Sequence, residues 1–74
     1  MVDKIGGKKM DLKEMCNKIR GKRSEKRITQ KEMALRLGIS ERAYNFKENN
    51  KVNFTVAEVA MIAIILQCNI NDFF

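Results

Sequence analysis

The chain of 74 residues has no histidine, no tryptophan and no proline, and only two cysteines, four glycines and one tyrosine. Each shortage removes a class of answer. Without histidine the usual nucleophile of a hydrolase lacks its base. A His/Cys metal site lacks most of its ligands, because Cys16 and Cys68 stand too far apart in the chain to form a C-x-x-C pair. No metal, no cofactor and no catalytic residue is therefore expected, and an enzyme is disfavoured. The absence of proline, the few glycines and the lack of any alternating apolar and polar stretch leave little material for hairpins, so the fold should be all-α. The longest apolar run, Val59 to Leu66, is far too short to span a membrane. Asp3, Lys4, Lys8 and Lys9 break up the first apolar stretch, so no secretory leader is expected. The expectation is a reduced, cytoplasmic protein in which both cysteines act as small core residues.

What is present is charge, and it is unevenly placed. Fifteen Lys and Arg against nine Asp and Glu give +6 at pH 7, which favours anionic partners. Ten of the basic and four of the acidic residues fall between Met1 and Arg27, whereas Phe54 to Phe74 holds two acids and no base. One end is suited to a polyanion and the other to protein, either its own core or a second subunit. Residues 1–10, with Gly6-Gly7 and three lysines, read as a flexible basic arm; residues 11–74 read as one domain.

Helix starts are written plainly. Asp11 with Glu14, Thr29 with Glu32, Thr55 with Glu58 and Asn69 with Asp72 each place a capping residue three positions before an acid, and Thr29 and Thr55 fit the full capping box. Ser40 adds a fifth cap. The pattern predicts five helices: Leu12 to Lys26, Gln30 to Leu37, Ser40 to about Asn49-Asn50, Thr55 to Gln67, and Ile70 to Phe74. On the first, Leu12, Met15, Cys16 and Ile19 form the apolar stripe. Met33, Ala34 and Leu37 face inward on the second, which Gly38 should end in a left-handed turn.

The informative stretch is Thr29 to Ser40. It holds a capped short helix, a glycine at its end, one apolar residue and an immediate new cap, which are the parts of a helix-turn-helix. Ile19, Arg23, Ile28-Thr29-Gln30, Met33-Ala34, Leu37-Gly38-Ile39-Ser40, Glu48-Asn49, Leu66 and Ile70-Asn71-Asp72-Phe73-Phe74 together resemble the phage-repressor and Cro-type helix-turn-helix domains related to the lambda repressor. The resemblance spans about Met15 to Phe74 and implies a compact five-helix, lambda-repressor-like domain that binds operator DNA. It implies that Gln30, Ser40, Asn49 and Lys51 contact phosphates, and that Glu41, Arg42, Asn45 and Phe46 reach base edges from the third, recognition helix. It also pairs Arg23 with Glu48. Lys47, Lys22, Asn50 and Gln67 depart from the family pattern. The first two stand where apolar residues are frequent and the last two where glycine is, and Lys47 leaves two rotations open for the recognition helix. In one, Phe46 packs inward beside Tyr44 while Lys47 turns toward phosphate.

The segment Ala57 to Leu66 is apolar nearly all round and must be covered on more than one side. This predicts a homodimer through Met61, Ile64, Ile65, Phe73 and Phe74. The alternative is that Ile28, Leu35, Ile39, Phe54 and the last helix cover it within one chain. The leading expectation is a transcription regulator, of repressor or Cro type, bound to double-stranded operator DNA, with no membrane and no small-molecule ligand. The other is an interaction module of the same fold, working as an antirepressor, antitoxin or adaptor without specific DNA binding.

Overall fold

The computed structural model describes residues 11–73; the basic arm expected over residues 1–10, and Phe74, lie outside them. Among the described residues there are four α-helices, α1 (Leu12–Glu25), α2 (Gln30–Leu37), α3 (Glu41–Glu48) and α4 (Val56–Ile65), followed by a 3-10 helix, Ile70–Phe73. The expected fifth α-helix is thus a single tight turn. Its Asp72 amide bonds the Asn69 carbonyl at 2.8 Å, a three-residue step, and four residues do not close an α-helical ladder.

Caps set the helix boundaries. The hydroxyls of Thr29, Ser40 and Thr55 accept from the amides of Glu32, Ala43 and Glu58, each at 3.0 Å. Only Thr55 completes the reciprocal box, in which the Glu58 carboxylate accepts from the Thr55 amide. Glu32 instead accepts from Arg36 one turn on, at 2.8 Å. Asp11 caps the nearer amide of Lys13.

All four α-helices end in the same way, with paired bonds running from one residue of positive φ and the residue after it back into the last turn. Examples are Arg27 N–H to Ser24 O with Ile28 N–H to Arg23 O, and Gln67 N–H to Ile64 O with Cys68 N–H to Ala63 O. This motif needs a left-handed residue. Gly38 supplies it after α2 at φ 75°, but Arg27, Asn50 and Gln67 occupy it at φ 58°, 63° and 57°. Three helix ends therefore carry a side chain where glycine is least strained.

The core gathers Met15, Ile19, Met33, Ala34, Tyr44, Val59, Ile62, Ala63, Leu66 and Phe73, with Ile28, Leu37, Ile39, Phe54 and Cys68 packed on its edge. Ala34 is small enough for α2 and α3 to cross closely, and Tyr44 tilts against Phe54 with ring centres 5.9 Å apart. Two residues expected to be covered within the chain fall outside this core. Leu12 begins the α1 stripe yet is exposed, one turn too early to reach the core. Leu35, expected as a cover for α4, is 73% exposed on the outer side of α2.

Candidate nucleic-acid interface

The rotation of α3 follows from its inner face. Tyr44 and Glu48, one turn apart, are buried, and Lys47 reaches across to α4, where its ammonium meets the Glu58 carboxylate at 2.9 Å. Lys47 thus fills a place that an apolar side chain would otherwise take, with its charge paired to Glu58 and its stem covering apolar surface. Phe46 is 38% exposed and lies under the Arg42 guanidinium, 5.5 Å from the ring centre. The rotation that would bury Phe46 and free Lys47 is not the one adopted. Glu41, Arg42 and Phe46 face solvent, with Asn45 half-buried beside them.

Behind this face sits a buried polar hub. Glu48 is 0% exposed. Its Oε2 accepts from Arg23 Nε at 2.7 Å and from the Tyr44 hydroxyl at 2.6 Å; its Oε1 accepts from Arg23 Nη2 at 3.1 Å and from Gln30 Nε2 at 2.8 Å. Arg23 also donates to the Ile28 carbonyl at 2.7 Å. One carboxylate thereby joins α1, α2 and α3. Burial works to raise the Glu48 carboxyl, but the hydrogen bonds from Arg23, Tyr44 and Gln30 outweigh it and hold the group below the usual carboxylate range. Tyr44 is pushed far above the ordinary phenol range, first by burial and then by its bond to Glu48. The hydrogen bond to Glu48 raises Arg23 further. The hub is therefore ionised as a pair, with no lone buried charge.

Gln30, at the start of α2, reaches in two directions. Its Nε2 donates to Glu48, and its Oε1 accepts from Asn45 Nδ2 at 3.1 Å. Ser40 uses its oxygen as a cap and keeps its hydroxyl hydrogen as a donor.

At the far end of α3 a cleft of about 450 Å³ opens against α1, lined by Lys13, Asn17, Arg20, Asn49, Asn50 and Lys51 among others. Arg20 organises it. Its Nη2 donates to the Glu48 carbonyl at 3.1 Å and to Asn49 Oδ1 at 3.0 Å, so a cation caps the negative end of α3 while staying part-exposed. Cys16 closes the floor, its buried thiol raised by desolvation and donating to the Lys47 carbonyl at 3.3 Å. Sequence reasoning named Asn49 and Lys51 but missed Lys13 and Arg20. The signal was present: Lys13, Asn17 and Arg20 recur at helical spacing on the polar side of the stripe that ends at Ile19.

The four residues expected at bases thus share the outer face of α3, with Gln30 and Ser40 at helix starts beside it and Asn49 and Lys51 at its other end. A family model described as helix-turn-helix matches residues 19–73, which hold α2, α3, the turn between them, α4 and the closing turn. The chain belongs to the repressor/Cro-type helix-turn-helix family. It is a DNA-binding regulator of that type, from a family of binding rather than catalytic domains. No curated protein and no solved structure matches it. Among the described residues no helix is long and apolar enough to cross a membrane.

The surface expected to pair two copies is altered at two residues. Phe73 is 2% exposed and belongs to this chain's own core, so it is not available to a partner; Ile65 is half-buried against the same core. Ala57, Met61 and Ile64 lie on the outward side of α4, Ile64 at 71% exposure, with Val56 at 76% beside them.

Proposed function

We propose that this helix-turn-helix domain is a sequence-specific repressor that reads an operator with α3 in the major groove and binds as a symmetric pair. The observation that carries the reading is the outward face of α3. Arg42, Asn45, Glu41 and Phe46 stand together there, and their chemistry matches guanine, adenine, cytosine and the thymine methyl respectively. The capped start of α2 lies on one side of this face and the cationic cleft on the other. Gln30 and Ser40 contact phosphates on the first side and Asn49 and Lys51 on the second, joined by Lys13 and Arg20, which add charge without sequence information.

Pairing uses the outward face of α4, centred on Met61 and Ile64 with Ala57 and Val56. Two-fold symmetry then places the half-sites roughly 10 bp apart. The test separates the roles. Arg42→Ala should lose discrimination at one base position, whereas Lys51→Ala should weaken every duplex alike and reduce the salt slope by about 0.9. If neither substitution alters binding, the groove-reading model is wrong. Capture of a different protein by the α4 face, without salt-dependent DNA affinity, would favour the interaction-module reading.

A further inference from the structure

The hydrogen bonds around Glu48 do more than hold three helices together; they set the direction of an amide on the reading face. Arg23 and Tyr44 together donate three hydrogen bonds to the Glu48 carboxylate, which can therefore only accept from its remaining neighbour. The atom of Gln30 that lies 2.8 Å from it must be nitrogen. That places the Gln30 oxygen on the other side, 3.1 Å from Asn45, so the Asn45 atom facing it must also be nitrogen. Polarity passes from a buried charge through two amides to a half-buried side chain on α3. Reversing either amide would set oxygen against oxygen or donor against donor.

We infer that Glu48, acting through Gln30, fixes the orientation of Asn45 so that Asn45 reads adenine. One Nδ2 hydrogen of Asn45 is committed to Gln30. Its Oδ1, which accepts no bond from the described residues, and its second Nδ2 hydrogen remain for the groove. An acceptor beside a donor matches the N6 amino group and N7 of adenine. Cytosine satisfies only the acceptor, while guanine and thymine present acceptors where Asn45 presents its oxygen. Gln30 and Glu48 are then positioning residues for base choice, a role separate from any phosphate contact that Gln30 makes. The inference rests on the DNA-reading function proposed above.

The experiment selects bound sequences from a random duplex pool with the full chain, alongside Asn45→Ala and Gln30→Leu. Loss of preference in Asn45→Ala identifies the position that Asn45 reads. Wild type should prefer adenine there by about ten-fold over guanine or thymine. Gln30→Leu should flatten that single position to within about two-fold and keep the preferences set by Arg42. A Gln30→Leu chain that binds all DNA more weakly yet keeps the adenine preference would overturn the inference, as would guanine or thymine at that position in wild type. A wild-type chain that selects no sequence would instead overturn the DNA-reading function, and the base preference with it. A second measurement needs no variant. In the free protein, one side-chain amide proton of Asn45 and one of Gln30 should exchange slowly and resonate away from the free-amide position; two freely exchanging Asn45 protons would contradict the relay.

Discussion

The two ends of this domain are built by opposite means. Where α1, α2 and α3 meet, a fully buried carboxylate has Arg23, Tyr44 and Gln30 all aimed at it; where α4 packs, the interior is Val59, Ile62, Ala63 and Leu66 and the outer side is apolar as well. Apolar packing is tolerant of direction, whereas hydrogen bonds to a buried charge are not. The polar end therefore fixes side-chain orientation next to the face proposed to read bases. The apolar end supplies burial and leaves surplus surface that can be covered by a copy.

The contrast can be broken from either side, and the largest effect is expected at the hub. Glu48→Ala leaves the part-buried Arg23, and with it Tyr44 and Gln30, without an acceptor and should destabilise the fold by about 3–5 kcal/mol, read from denaturant melts. The same group gives the pH response. Its folded pKa is depressed, so its contribution is fully present above the unfolded value and is lost as pH falls through the folded one. Stability should drop below about pH 4.3, with Glu58, depressed for similar reasons, adding to the acid limb. A stability profile flat down to pH 3 would contradict the hub's role.

Close behind comes the apolar interior. Ile62→Ala should cost about 2–5 kcal/mol through lost burial and a residual cavity, with no acid dependence of its own. A change in the acid limb on that substitution would show that the two ends are not separable. Ile64→Lys, on the outward side of α4, should change the melting of the single chain by less than about 0.5 kcal/mol. It should shift the mass in solution from pair to monomer, and an unchanged mass would remove α4 from the interface.

Two small effects, one in a helix middle and one at a helix end, should stabilise. A Cβ added at Gly21 meets nothing within 4 Å, so Gly21→Ala should gain about 0.5–1 kcal/mol. Gln67→Gly, at φ 57°, should gain a comparable amount by relieving left-handed strain. A loss at Gln67 would mean that its side chain makes a contact worth more than the strain.

Local signals were the legible ones. The caps at Thr29, Ser40 and Thr55 and the glycine turn could be read directly, because each depends on residues within four positions of one another. The Arg23–Glu48 pair came through the family resemblance alone. Less legible were choices between local rivals: Glu32 sits equally well for the Thr29 amide and for Arg36, and the side chain took the cation. Long-range compensation was hidden altogether. Lys47 reads as a misfit until Glu58, on another helix, is found beside it, and Arg20 gains its role only when the end of α3 folds back onto α1. Apolarity also does not say which partner buries it, so Phe73 looked like an interface residue and is core.

A salt titration tests whether the buried polar hub backs a DNA-reading face. The full chain is titrated with mixed-sequence duplex and with its selected sequence at two salt concentrations. Binding to both is expected, with a log–log salt slope of about −2.7 or steeper per protomer from Lys13, Arg20 and Lys51, and a tighter, sequence-dependent increment for the selected site. Binding that ignores salt, or equal affinity for both duplexes, would contradict that reading.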